Sequence, residues 1–370
     1  MKHRNFIMTM IVTVAIVVTS GKIFSDRRKI EKVNKGAGVF EVEMLSKYEP
    51  SLKGTSGDTE IFHLKGKEEG GSTLVLGGTH ANEPSGYLAA LMIVETLEVE
   101  KGDVYVIPQA NKSAFTHNDA QEGNETDFSL KTRSGNRVFT FGSRATNPVD
   151  QWPDPDIYIH KASGQKLSGG ETRNLNRAYP GRTDGTLTEK VAYGIINFIN
   201  EKKIDVSIDL HEASPEYPVI NALVAPVKGM EIASSALMNL QMEGVELGLE
   251  PSPKNLHGLS HREWTDYTDT NAFLFETANP SQGRLRGPSS KELITEGVDR
   301  FYVQLADIGM LFVPFTEEGH PISQRVARQI AGVNALMSAF GEFNPEKEIT
   351  FSNVPTYDEI MENGVGNYLK

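Results

Sequence analysis

Apolar positions along this chain follow two different periods. Short β-branched or apolar runs recur at Thr73 to Leu76, Val104 to Pro108, Val206 to Leu210 and Ala272 to Phe275, each bounded by polar residues. Such runs predict buried strands. Between them the spacing changes to that of a helix face. Val191, Ile195, Phe198 and Ile199 form one stripe, Ile294, Val298, Phe301, Leu305 and Ile308 a longer one, and Val326, Ile330, Val333, Met337 and Phe340 a third. Tyr87, Leu88, Leu91 and Met92 add a shorter face, with Pro84 placed for a first helical turn, where its missing N–H costs nothing. Strands alternating with helices predict an α/β fold: a mixed, mostly parallel twisted sheet with helices on both faces. Residues 111–186 break the pattern, being rich in Gly, Asn, Asp, Ser and Thr with little periodicity. A loop region of that length in a compact domain is expected to be functional.

The ends read differently. Lys2, His3 and Arg4 precede an apolar run from Phe6 to Val18, and residues 1–25 read as a signal peptide or, since no A-x-A box follows, a retained N-terminal anchor. The run is short for a spanning helix, which needs about 20 apolar residues. Residues 26–45 read as a charged spacer, 46–345 as one catalytic domain, and 346–370 as an aperiodic C-terminal tail, either packed on the surface or disordered. The chain is expected to be exported, secreted or extracytoplasmic, touching a membrane only through its N-terminal segment.

Composition narrows the chemistry. In 370 residues the chain is 38% hydrophobic and 23% charged, which suits a globular enzyme. A net charge of -12 argues against nucleic acid, whose phosphates call for a basic surface. There is no cysteine, so disulfides, thiolate metal ligands and cysteine catalysis are excluded. No G-x-S-x-G, G-x-x-x-x-G-K-[ST] or G-x-G-x-x-G occurs, which disfavours serine-hydrolase and nucleotide chemistry.

The candidate site begins at Gly77-Gly78-Thr79-His80-Ala81-Asn82-Glu83-Pro84, where a strand gives way to a helix. Strand carboxyl ends are where open α/β sheets bind ligands. His80 and Glu83 supply an imidazole and a carboxylate there. A third ligand is expected at a second strand end, and Asp209-Leu210-His211 provides His211, with Asp209 on the same strand face to orient the ring. A His, Glu, His set without cysteine favours one zinc, leaving the fourth position for water. Glu276 interrupts an apolar strand at its end. Burying a carboxylate is costly without a reason, and Glu276 is the candidate general base. Asn176 and Arg177 can grip a substrate carboxylate, the guanidinium as a bidentate fork. For an oxyanion donor Arg173 is nearest, with Arg133, Arg137 and Arg144 open.

The ordered set His80-x-x-Glu83, Asn176-Arg177 in an N-L-N-R-x-Y-P-G setting, Asp209-Leu210-His211 and Phe275-Glu276 resembles the zinc carboxypeptidase superfamily over residues 50–340. The G-G-T-H-A-N-E-P form is similar to its succinylglutamate desuccinylase and aspartoacylase branch. The resemblance implies one zinc held by His80, Glu83 and His211, carboxylate recognition by Asn176 and Arg177, Glu276 as base, and hydrolysis of an amide bond. It also implies a mobile tyrosine ahead of the base, for which Tyr267 is the near candidate. Three functions follow: a deacylase of small N-acyl amino acids, an exported carboxypeptidase acting on peptides or cell-wall peptides, and a non-catalytic binding module on the same fold. The first is preferred for its motif form.

Overall fold

The computed structural model describes residues 2–118 and 125–370; residues 119–124 of the expected loop region, and Met1 of the leader, lie outside them. The main sheet contains β1 (Val39–Met44), β2 (Glu60–Lys65), β3 (Glu68–Leu76), β4 (Glu98–Ile107), β5 (Val206–Ala213), β6 (Ala222–Ala225), β7 (Gly248–Pro251), β8 (Asn271–Ala278) and β9 (Thr350–Ser352). The order is β1-β2-β4-β3-β5-β8-β6-β7, with β9 beside β4. The four central strands β4, β3, β5 and β8 run parallel. Antiparallel strands flank that block on both sides. These central strands are the four runs that hydrophobic patterning picks out.

The helices are α1 (Lys2–Arg27), α2 (Pro84–Thr96), α3 (Leu187–Lys202), α4 (Met230–Met242), α5 (Ser260–Tyr267), α6 (Lys291–Thr295), α7 (Arg300–Asp307), α8 (Ile322–Phe343) and α9 (Tyr357–Asn363). Strand side chains alternate between faces, so the sheet has two cores. Ile208, Leu210, Phe273 and Phe275 pack with α2, α4 and α8 on one side. Leu74, Leu76, Tyr105 and Ile107 pack with Val191, Ile195 and Phe198 of α3 and Trp264 of α5 on the other. Each fully buried Leu, Ile or Phe contributes about 1.5–3 kcal/mol, so both layers are held mainly by apolar burial. Local signals agree with this packing. Thr186 and Glu189 form a reciprocal capping box at the start of α3, and Pro84 opens α2 directly after Glu83.

Four expectations change. The stripe from Ile294 to Ile308 is not one helix: α6 and α7 are separated at Gly297, whose φ of +68° suits a residue without Cβ. Asp299 then caps α7 by accepting the Phe301 and Tyr302 N–H groups, while Val298 and Ile308 stay exposed. Residues 26–45 are not a free spacer. Ile30 and Val33 pack on the main core, Arg28 pairs with Asp150 at 2.6 Å, Glu31 accepts the Thr140 N–H at 3.1 Å, and β1 pairs with β2. The tail is ordered into the body, with β9 on β4 and Ile360, Val365 and Leu369 buried. The body therefore runs past 46–345 at both ends. Finally, the apolar N-terminal stretch forms a helix in which His3–Asp26, 24 residues of mean hydropathy 2.0, is long and apolar enough to cross a membrane.

The region expected as loop, 111–186, contains two short antiparallel hairpins, 127–132 with 135–140 and 157–159 with 166–168. From this region Arg144, Asn176 and Arg177 line a cavity and Asn174 reaches His80. The region's turns reach the sheet through specific bonds: Ala81 N–H to Ser143 O and Gly142 N–H to Ala81 O, both 2.9 Å.

A candidate metal centre

Three elements bring the chemistry together. The turn between β3 and α2 carries His80 and Glu83, the end of β5 carries Asp209 and His211, and β8 places Glu276 directly opposite His211 in parallel register. Register is decisive here, because a slip of one residue would turn Glu276 to the other face. His80, Glu83 and His211 are buried, and their ligand atoms lie within 4.8 Å of one another.

The hydrogen bonds orient each ring. His211 Nε2 faces the Asp209 carboxylate at 2.8 Å, and Thr79 Oγ1 donates to the other Asp209 oxygen at 2.9 Å. His80 Nε2 faces Asn174 Oδ1 at 2.9 Å. That amide cannot be turned over, since Asn174 Oδ1 also accepts the Asn176 N–H and its Nδ2 donates to Glu171. Both Nε2 atoms therefore face acceptors and carry the proton. In the neutral rings the inner Nδ1 atoms then present lone pairs to the Glu83 oxygens, at 2.7 Å for His80 and 2.8 Å for His211. Lone pairs facing a carboxylate repel unless a proton or a cation lies between them. The donor set thus fits a divalent cation such as zinc, which would be held by His80 Nδ1, His211 Nδ1 and Glu83.

The charges answer to this crowding. Burial pushes His80 down to about 4 despite Glu83 beside it. Burial would also lower His211, but Asp209 and Glu83 together hold it well above its ordinary value. Glu83 is buried, yet His80 and His211 keep it well below the carboxylate range. Gln282 Nε2 and the Glu212 backbone N–H also donate to Glu83, both at 3.1 Å. Burial, partly offset by His211, raises Glu276 to about 8, and its Oε2 has no hydrogen-bond partner among the described residues.

A cavity of about 570 Å³ opens from this cluster, lined by His80, Glu83 and Glu276 and by Arg144, Asn176 and Arg177. The Ser260 N–H donates to Asn176 Oδ1 at 2.9 Å, which leaves the amide nitrogen as the end available to a ligand. Gly258, at φ +86°, wraps the Arg177 backbone so closely that a Cβ there would lie 2.2 Å from the Arg177 carbonyl oxygen. Burial and the neighbouring Arg144 press the Arg177 guanidinium downward from its ordinary range. Arg144, Arg177 and Arg284 line the cavity together with Glu83, Glu212, Glu216 and Glu276, so an anionic group is favoured locally, at Arg177 beside the Asn176 amide, rather than by the cavity as a whole.

The other expected residues lie elsewhere. Arg173 does not line the cavity: its guanidinium donates to Asp154 at 2.8 Å and 3.0 Å and to Thr146 O at 2.8 Å. Arg144 lines it instead, 3.8 Å from Glu83. Arg137 is engaged with Glu95, and Arg133 lies over the Tyr368 ring. Tyr267 ends α5, exposed and outside the cavity; the tyrosine in its wall is Tyr217. Asn174 and Gln282 were not singled out from the sequence. Asn174 sits inside the N-L-N-R run, where its side chain mirrors on His80 what Asp209 does on His211, while Gln282 lies in a loop with no pattern to announce it.

No family model matches the chain. It is 25% identical over 261 residues to the N-alpha-acetyl-L-2,4-diaminobutyric acid deacetylase of Halomonas elongata, covering 66% of this chain and 58% of that protein. The resemblance expected from the motifs recurs here. The chain thus spans somewhat over half the length of this curated relative. Among solved structures, a succinylglutamate desuccinylase/aspartoacylase from Rhodobacter sphaeroides is similar at 17% identity and a TM-score of 0.36, covering 59% of this chain and 51% of that one. The tripeptide-bound cell shape determinant protein Csd4 from Helicobacter pylori is similar at 14% identity and a TM-score of 0.47, covering 83% of this chain and 59% of that one.

Proposed function

We propose that the protein is a zinc-dependent hydrolase that cleaves an amide bond in a carboxylate-bearing substrate of the N-acyl amino acid type. The observation that carries this is the convergence of three lone-pair donors, His80 Nδ1, His211 Nδ1 and Glu83, beside an unpartnered Glu276 carboxylate oxygen. A zinc ion bound there supplies a Lewis acid that acidifies water and polarises a carbonyl.

The chain's own residues do the rest. Arg177, with the Asn176 amide, binds the substrate carboxylate and so fixes the scissile amide relative to Glu276. Glu276 Oε2 takes the proton of the attacking water and returns it to the leaving nitrogen. As a carboxylate it can take that proton and, once protonated, give it back. Arg144, at the cavity wall and 3.8 Å from Glu83, stabilises the oxyanion as the carbonyl is attacked. The deacylase of Halomonas elongata supports this substrate class.

A second reading, an exported carboxypeptidase acting on peptides, has its own support: the cavity of about 570 Å³ leaves room beyond a small acyl group, and α1 is long and apolar enough to serve as a signal or anchor. A purely binding role leaves the unpartnered Glu276 oxygen without a purpose. The test is a zinc-loaded activity panel of N-acyl amino acids and short peptides read by mass spectrometry, alongside Glu276→Gln. Release of free amino acid by the wild type, with turnover reduced roughly 10²–10⁴-fold in the variant at undiminished zinc content, is the expected result. Full activity in Glu276→Gln sinks the assignment.

A further inference from the structure

His261 has no role in the chemistry above. It follows Ser260 at the start of α5, is only 2% exposed, and lines the same cavity as Arg177 and Glu276. Neither ring nitrogen has a hydrogen-bond partner among the described residues. A buried imidazole always has one N–H to donate and one lone pair to fill, so leaving both idle is costly. The neighbouring polar groups are already committed. Asp209 is taken by Thr79 and His211, and Asn176 Oδ1 is taken by the Ser260 N–H. The same cavity also has an apolar part to its lining, including Leu259, Leu274, Val224 and Pro253.

We infer that His261 is a specificity-determining residue: it pairs with an uncharged hydrogen-bonding group, a carboxamide or hydroxyl, at the end of the substrate's amino-acid side chain. The inference rests on the reading of the cavity as the site for an amino acid whose carboxylate is held by Arg177. Three features select this ligand chemistry. The imidazole offers one donor and one acceptor on opposite sides of the ring, and a carboxamide, which carries both kinds of group, can pair with whichever nitrogen faces the ligand. The apolar part of the lining suits the methylene body of such a side chain. A second charge would have to be desolvated against the apolar lining, and the remaining charged residues of the cavity are of both signs, Arg144 and Arg284 with Glu212 and Glu216, so they offer an ionic side chain no net counter-charge. Purely apolar side chains fit that lining and leave the two nitrogens unpaired, and a site built to hydrogen-bond rejects a ligand lacking the group far more strongly than it rejects a change of size.

The experiment compares wild type, His261→Leu and His261→Gln, all zinc-loaded, on the N-acetyl derivatives of glutamine, leucine and glutamate. It also measures binding of free glutamine, leucine and glutamate by calorimetry, which needs no turnover. The expected result is a glutamine preference over leucine of at least tenfold in kcat/KM and in affinity, lost or reversed in His261→Leu and largely restored in His261→Gln. Because the leucine removes two idle polar atoms, its Tm without ligand is expected to be unchanged or raised; a marked fall shows a structural histidine and overturns the proposal. An unchanged glutamine-to-leucine ratio in His261→Leu overturns it too, as does a wild-type preference for glutamate. If no acetylated substrate is cleaved while the glutamine selectivity in binding tracks residue 261, the amide-hydrolase reading fails and this inference stands.

Discussion

Asp209→Asn probes how the proposed centre is built, because Asp209 would act on a bound ion only through His211. Asp209 is fully buried, with one carboxylate oxygen 2.8 Å from His211 Nε2 and the other accepting from Thr79 Oγ1 at 2.9 Å. Asparagine is nearly isosteric, so packing is kept. It can keep its oxygen on Nε2 and turn its NH₂ to Thr79, whose hydroxyl then accepts, which preserves the ring tautomer while removing the charge that makes Nδ1 a better donor. In the flipped orientation the amide would donate to Nε2, move the ring proton to Nδ1 and block the metal position. The first arrangement is the lower in energy, so the protein should still bind zinc. Loss of such an outer partner weakens metal affinity roughly 10–100-fold, about 1.4–2.7 kcal/mol. Competition against a chromophoric chelator at fixed pH measures this directly. Thr79→Val should weaken binding by less, since it removes one neutral donor and leaves the charge. Affinity in Asp209→Asn within twofold of wild type would refute the reasoning, as would a loss as large as that of His211→Ala.

Further outcomes follow from the same geometry. In the metal-free protein His211 has its pKa raised above 6.5, so its stabilising contribution is complete below about pH 6.5 and is lost as pH rises through the folded value. Glu83 has its pKa held below 4.5, so its contribution is present above about pH 4.5 and is lost as pH falls through the depressed value. The metal-free centre is therefore most stabilising between those limits, and zinc, which must displace the His211 proton, should gain close to tenfold in affinity per pH unit from pH 5.5 to 6.5; a flat affinity there contradicts the protonated His211. Arg144→Gln should lower kcat by roughly 10²–10³-fold with zinc affinity little changed. Arg173→Gln should leave kcat alone and cost roughly 1 kcal/mol in denaturant unfolding through its half-buried pair with Asp154. The reverse pattern would return the oxyanion role to Arg173.

Much of the architecture was legible because it depends on near neighbours in the chain. The central strands, α3 and α8 follow from apolar spacing, and the turn at His80 to Pro84 announces a strand-to-helix junction by itself. His80, Glu83, His211 and Glu276 could be named because each sits at the end of a recognisable strand. By sequence Arg173 is preferred over Arg144 for its nearness to the Asn-Arg pair, but both lie in a region with no periodicity, and the bonds that tie Gly142 and Ser143 to the turn at Ala81 are between segments far apart in the chain. The break at Gly297 escaped because one glycine in an otherwise helical stripe is a weak signal until its φ is known. Residues 26–45 and 346–370 look aperiodic because they pack piecewise onto surfaces made by distant segments.

What the sequence determined alone is the chemistry available: no thiol, an acidic surface, and histidine and carboxylate placed at strand ends, all set by residue type and by spacing within a few positions. What only the tertiary structure decided is which groups face one another. The parallel register of β5 and β8 puts Glu276 opposite His211, Asn174 crosses 94 residues of chain to hold the His80 ring, and the loop of Gly258 fixes Arg177. The physical reason is that spacing reports on burial along one element, whereas hydrogen-bond satisfaction and charge pairing are settled between elements far apart in the chain.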